Sequence, residues 1–197
     1  MKNYFLNSLA VLMFCTGCKK PADLTAVNDT TITAPAFIKY TIQKGKQFCD
    51  QSYYKAVDVS EMKFVARFDS TAVYKTMSLS NQDDINKLYG FADNNSDHHS
   101  YSARFGWRWS GNALRLFAYI YNEGTVTSKE LAIVKIGAEI NCSIQVTNSS
   151  YLFTVNGDTQ RLPRMASTPK GAGYQLYPYF GGDEPAPHDI NIWIKNL

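Results

Sequence analysis

Arg104, Arg108 and Arg115 fall, with Phe117, Tyr119 and Tyr121, on alternate positions of two stretches joined by Ser110-Gly111-Asn112. A guanidinium fork binds carboxylate or sulfate through two parallel charge-assisted hydrogen bonds. Aromatic rings stack on the apolar faces of sugars. Together these residue types suit an acidic polysaccharide or oligosaccharide, which makes Arg104, Arg108, Arg115, Tyr119 and Tyr121 the candidate ligand-binding residues. The alternative is that another strand or loop covers the rings, with the arginines stacked on them or paired with Asp and Glu. Arg108 and Arg115 lie directly opposite one another in the register derived below, and like charges so placed repel unless an anion sits between them.

Cleaving an acidic polymer by β-elimination needs a base for the proton α to the uronate carboxylate and cations for the resulting anion. His98, His188, Tyr177 and Tyr179 are the candidate catalytic residues, with Arg104 or Arg108 as the cation. Glycoside hydrolysis needs paired carboxylates, yet Glu-x-Asp-x-x-Glu spacing is absent, and the neighbours Asp183 and Glu184 would point to opposite sides of an extended chain. Residues 36–197 also have no Gly-x-Ser-x-Gly elbow, phosphate loop, Cys-x-x-Cys pair or dinucleotide fingerprint, and no cofactor is expected.

Two loops carry further polar groups. Asp93-Asn94-Asn95-Ser96-Asp97 has the spacing of a calcium loop, but its sixth position is His98 where Gly is needed and its twelfth is Arg104 where Glu is needed. His98 and His99 are adjacent, so in an extended segment they point apart and share no metal; none is expected. In Tyr174–Asp189, alternation places Tyr174, Leu176, Pro178 and Phe180 on one side and Gln175, Tyr177 and Tyr179 on the other. Pro178 implies an edge or bulge. Gly181-Gly182 then turns the chain, and Pro185 and Pro187 stiffen a loop carrying Asp183, Glu184, His188 and Asp189, either as a pinned turn or as a rigid lip over a binding face.

The elements that position these groups are strands. The chain has 13 Tyr, 11 Phe and 3 Trp, a composition suited to pleated sheets. Apolar residues alternate in four files: Met62, Phe64, Ala66 and Phe68; Leu114, Leu116, Ala118 and Ile120; Ile140, Cys142, Ile144 and Val146; Ile190, Ile192 and Ile194. Each predicts a strand with one face in the core. Asn156-Gly157 is a two-residue hairpin turn, because both residues tolerate positive φ. If Gly111-Asn112 is another, Trp109 faces Leu114, Trp107 faces Leu116, Phe105 faces Ala118 and Ala103 faces Ile120. One face is then wholly apolar, whereas a one-residue slip would mix both faces. About ten or eleven strands follow, enough for an all-β, two-sheet antiparallel β-sandwich.

Residues 1–17 read as a signal peptide: Lys2 precedes an apolar run from Tyr4 to Phe14 that is too short to span a bilayer. Cys15-Thr16-Gly17-Cys18 resembles a lipobox, which implies cleavage before Cys18 and a lipid on it. Residues 18–35, rich in Thr, Ala, Pro and Asp, read as a tether, and 36–197 as the folded domain. Removing 1–17 takes away one positive charge, so a net charge of +3 becomes +2. That balance argues against nucleic acid as a partner. The expected location is the bacterial cell envelope, anchored to a membrane through Cys18, with the outer membrane or cell surface expected ahead of the inner membrane. In an oxidising compartment the remaining pair, Cys49 and Cys142, can form a disulfide; Cys142 also fits as a buried thiol on its apolar file.

The stretch KLYGFAD, the pair SARFGWRW and ALRLFAYIYNEG, and the ending YPYFGGDEPAPHDINIWI resemble a group of envelope lipoproteins whose architecture is similar to concanavalin A-like jelly rolls. That superfamily includes glycan-binding lectins, laminarinase-type hydrolases and alginate-lyase-type enzymes. The resemblance runs over about residues 36–197 and implies a concanavalin A-like jelly roll without assigning catalytic residues. The Gln-x-His and Arg-rich signatures of alginate lyases are absent, although Tyr177-Pro178-Tyr179-Phe180 lies near the chain end, where those enzymes carry a catalytic Tyr strand. The expected function is lectin-like binding of an acidic polysaccharide. A uronate-cleaving lyase and a non-catalytic accessory lipoprotein are the alternatives.

Overall fold

The computed structural model describes residues 35–197. The expected signal peptide, the expected lipidation at Cys18 and the expected tether up to residue 34 lie outside the described residues. No helix among the described residues is long and apolar enough to cross a membrane.

Twelve strands run through the described chain: β1 Ile38–Ile42, β2 Ala56–Val59, β3 Glu61–Phe68, β4 Asn86–Ala92, β5 Ser102–Ser110, β6 Ala113–Asn122, β7 Thr125–Val134, β8 Ile140–Val146, β9 Ser150–Val155, β10 Asp158–Pro163, β11 Gly171–Leu176 and β12 Ile190–Asn196. They form two six-stranded antiparallel sheets, ordered β1-β12-β3-β8-β9-β10 and β2-β11-β4-β5-β6-β7. The four apolar files are buried between them. Phe105 of the second sheet stands edge-on between Phe64 and Phe153 of the first, with ring centroids 5.5 and 5.2 Å away. Such T-shaped contacts add about 0.5–1.5 kcal/mol each beyond the area they bury.

Both hairpins take the expected form. Gly111 and Asn112 have φ of 58° and 57°, and Asn156 and Gly157 have φ of 51° and 102°. Trp109, Trp107, Phe105 and Ala103 pair with Leu114, Leu116, Ala118 and Ile120 in the derived register, and Arg108 pairs with Arg115.

One ion pair ties the sheets together from inside. Asp93, just past β4, is fully buried. It accepts hydrogen bonds from Arg164 Nε at 2.8 Å, Arg164 Nη2 at 3.1 Å, the Tyr151 hydroxyl at 2.5 Å, and the backbone N–H groups of Asn94 and Ala172 at 2.7 and 3.1 Å. Asp93 is therefore a structural carboxylate. Burial alone pushes it upward, but these donors outweigh burial and hold it below the ordinary Asp value.

The disulfide open to Cys49 and Cys142 does not form: both are buried free thiols. Cys49 bridges Ile42 on the outer side of β1, while Cys142 lies on β8, across β12 and β3. Four strand spacings separate them, roughly 19 Å, whereas bridged Cα atoms lie about 4.4–6.8 Å apart.

Candidate functional site

The outer face of the second sheet, with the segments around Phe48–Tyr54 and Tyr177–Tyr179, encloses a cleft with a volume of about 530 Å³. Its floor comes from β4, β5 and β11. Lys87 and Gly90 of β4 lie beside Arg104 of β5, because Gly90 and Arg104 are cross-strand partners and Lys87 pairs with Gly106. A Cβ on residue 90 would fall inside the backbone of Ala103 and Arg104, so glycine is what lets β4 approach under the arginine. Gln175 of β11 closes the floor, with its amide turned to the Tyr89 hydroxyl.

Aromatic rings make the walls. On one side Phe48 stands edge-on to Tyr179 at 4.9 Å, Tyr53 lies 5.2 Å from Tyr177, and Tyr54 lies 6.1 Å from Tyr174. On the other, Tyr119 and Tyr121 of β6 are 5.9 Å apart, and His99 stands against Tyr121 at 5.4 Å. The Tyr177 hydroxyl is buried in this lining without a hydrogen-bond partner among the described residues.

Electrostatically the floor is unusual. Arg104 is only 7% exposed, and its Nε has no hydrogen-bond partner among the described residues. Its guanidinium lies over the Tyr119 ring at 5.3 Å. Burial lowers its pKa from the ordinary Arg value, partly offset by the hydroxyl groups of tyrosines 119, 121, 174 and 179 that face it. Lys87 Nζ is 4.6 Å from the same Tyr119 ring and donates to the Ile85 carbonyl at 2.6 Å. Burial first, and then Arg104, bring Lys87 down to about 8. A buried arginine and a half-buried lysine share this floor, and among the described residues that line the cleft none is Asp or Glu.

Arg104, Tyr119, Tyr121, His98, Tyr177 and Tyr179 are brought together around the cleft. Arg108, Arg115 and His188 are not. Arg108 donates to the Asp83 carbonyl at 2.6 Å, lies 3.6 Å from its carboxylate and stacks over Phe117 at 4.9 Å. Arg115 pairs with Glu130 at 2.8 Å. Each has its own acid, so their mutual repulsion requires no bound anion. His188 Nε2 lies 2.9 Å from the Thr71 carbonyl, away from the cleft. The loop around it is a strap: Glu184 accepts from the Met77 and Ser78 N–H groups, and Asp189 from Lys44 N–H.

Two geometric expectations need correction. Strict alternation over Tyr174–Phe180 fails because β11 ends at Leu176, before Pro178, so Tyr174, Tyr177 and Tyr179 all reach the cleft. His98 and His99 do not point apart. They sit in a turn rather than a strand, and their rings lie 4.1 Å from each other.

No protein-family model matches the chain, and no curated protein matches it in sequence. In three dimensions it is similar to the laminarinase catalytic domain of Thermotoga maritima, with a TM-score of 0.53 at 8% identity over 81% of this chain and 76% of that one. It is also similar to a Bacteroides ovatus mixed-linkage glucan GH16 protein, with a TM-score of 0.54 at 9% identity over 83% and 81%. An alginate lyase gives a TM-score of 0.53 at 7% identity over 80% and 72%. The fold is a concanavalin A-like jelly roll. At such identities the likeness extends to fold alone, and the chemistry rests on this chain's own residues. The paired-carboxylate route of glycoside hydrolysis needs two carboxylates, and among the described residues the lining of this cleft supplies none.

Sequence reasoning missed Lys87, Gln175 and the Phe48-Tyr53-Tyr54 wall. Lys87 carried a signal: it is the one charged residue in the apolar stretch LYGFA and its approach, which β4 buries almost throughout. The wall residues lie in a loop whose place depends on long-range pairing, Phe48 bridging Tyr179 and Tyr179 bridging Lys87.

Proposed function

We propose that the cleft binds an acidic polysaccharide or oligosaccharide, with a carboxylate or sulfate on Arg104 and Lys87 and sugar rings against the tyrosine walls. The buried Nε of Arg104, left without a partner, carries this reading. A desolvated guanidinium is costly unless a hydrogen-bonded anion meets it. The structural neighbours named as a laminarinase and an alginate lyase support a carbohydrate partner. A panel of uronate, sulfated and neutral oligosaccharides titrated into the protein is expected to give binding only with the acidic members. Equal binding of neutral members would remove the role of the two cations.

The presence of His98, Tyr177 and Tyr179 in the same cleft favours a second reading, β-elimination, with one of these groups moving the proton and Arg104 holding the carboxylate. Ultraviolet absorbance of unsaturated uronate, followed in the same titrations, separates the two readings. Product means a lyase, and binding without product means a lectin.

Binding is expected to depend on pH through Lys87. The groups around it are Arg104 on β5, Tyr119 on β6 and Asp84 ahead of β4. Tyr119 is pushed up to about 12, so it stays neutral over the range in question. Below about 8 Lys87 is protonated and the floor holds two cations; above, it holds one. Affinity for a carboxylated ligand therefore weakens as pH rises through 8. In Lys87→Met this step is expected to vanish, and a step that persisted would belong to another group.

We further propose that the domain is held at the bacterial envelope by a lipid on Cys18. Cys18→Ser is expected to abolish labelling by a radioactive fatty acid, and normal labelling would overturn the anchor.

A further inference from the structure

Outside the cleft floor, a second group of side chains converges at its rim. Asp97, His98 and His99 each offer a ligand atom, and these atoms lie within 4.8 Å of one another. His99 Nδ1 is 3.4 Å from Asp97 Oδ1, and His98 Nδ1 is 3.7 Å from Asp97 Oδ2. On its other side His98 Nδ1 is 2.8 Å from the Tyr174 hydroxyl. Ligands around a tetrahedral ion bound at about 2.0–2.1 Å stand roughly 3.3–3.4 Å from each other, a separation that the imidazole–carboxylate spacings of 3.4 and 3.7 Å, one to each oxygen of Asp97, approach.

The loop enforces this arrangement. Asn94 and Asn95 take left-handed φ of 58° and 52°. The chain then turns back through hydrogen bonds from Ser100 N–H and Tyr101 N–H to the Asp97 carbonyl, at 2.9 and 3.1 Å. The His99 N–H donates to Asp97 Oδ1 at 2.8 Å and the His98 N–H to the Tyr174 hydroxyl at 3.2 Å. The anchor of the loop is Asp93, locked in its buried pair with Arg164. Two adjacent imidazoles thereby share one side of a rigid turn, where an extended chain would separate them.

We propose that Asp97, His98 and His99 form a binding site for a divalent transition-metal ion, with the Tyr174 hydroxyl beside it as a fourth donor. Two imidazole nitrogens with a carboxylate oxygen suit Zn²⁺, Ni²⁺ or Cu²⁺; Ca²⁺ and Mg²⁺ demand an oxygen set this turn does not supply. His98 and His99 also line the cleft, so the ion would face whatever the cleft holds. The site stands on its own ligands whether or not the cleft takes a glycan.

The test is titration of the full chain, freed of metal by chelation, with ZnCl₂ by calorimetry and with CoCl₂ by visible absorbance. One equivalent of Zn²⁺ is expected to bind, and Co²⁺ to develop the intense visible bands of a four-coordinate site. CaCl₂ is expected to give no saturable heat. Asp97→Asn and His99→Ala, both at exposed positions, are each expected to weaken Zn²⁺ by at least about tenfold, while His188→Ala leaves it unchanged. Tyr174→Phe is expected to alter the Co²⁺ spectrum. Absence of Zn²⁺ binding, or affinity unaffected by both Asp97→Asn and His99→Ala, would overturn the site. A His188→Ala variant that lost the ion would place it elsewhere.

Discussion

Arg104→Met is expected to weaken acidic-ligand binding strongly while leaving the fold as stable as before or more so. A charge-assisted hydrogen bond contributes about 1.5–3 kcal/mol, and each 1.4 kcal/mol is about tenfold in affinity. Loss of the guanidinium should therefore weaken binding by about ten- to a hundred-fold. Stability moves the other way, because Arg104 is buried with its Nε unpaired, and an apolar side chain of similar length keeps the packing against Tyr119 without a desolvated charge. Opposite signs in the two measurements distinguish a residue reserved for a ligand from one that supports the fold. A large fall in melting temperature with binding retained would reverse the assignment.

Asp93→Asn is expected to give the largest loss of stability in the domain. It leaves Arg164 buried beside a neutral amide, and breaking such a pair costs about 3–5 kcal/mol. For a domain of this size that is a fall of about 10 °C in melting temperature. Arg164 also donates to the Thr168 and Lys170 carbonyls at 2.7 and 2.9 Å, so the approach to β11, and with it the Tyr174 wall, should loosen too. Replacing both partners, as Asp93→Leu with Arg164→Met, is expected to cost less than Asp93→Asn alone, since no charge is stranded. The pH dependence has a definite sign. The folded carboxyl lies below its ordinary value, so its contribution is full above about pH 4 and is lost as pH falls toward the folded pKa. An Asp93→Asn protein should accordingly lack that part of the acid-induced destabilisation.

Much of the fold was legible because its pattern is local. The period-two files at Ile140–Val146 and Ile190–Ile194 state which side faces the core, and the Gly111-Asn112 turn fixes the register that puts Arg104, Tyr119 and Tyr121 on one surface. The candidate site was legible only where it lies on that hairpin. Alternation says which face Arg108 and Arg115 occupy, but not that Asp83 and Glu130 arrive to neutralise them, since those acids come from a separate loop and from β7. Lys87 and the Phe48-Tyr53-Tyr54 wall depend on pairings across the sandwich. The two histidines were misjudged for a different reason: residues 98–100 form a turn, which brings their rings together and which a strand-based argument does not anticipate.

The short segment from Gln47 to Cys49 has a wider role than supplying one ring. Cys49 bridges Ile42 of the first sheet, Phe48 bridges Tyr179, and Tyr179 bridges Lys87 of the second. Phe180 N–H also donates to the Gln47 carbonyl at 2.8 Å. The same backbone that presents Phe48 to the cleft is thus a clasp across one open edge of the sandwich. Edges are where such folds breathe, and local opening there exposes amides to exchange with solvent. A ligand lying against Phe48 and Tyr179 would hold the clasp shut, so occupancy of the cleft and slow exchange of the Phe180 and Lys87 amides become two readouts of a single equilibrium.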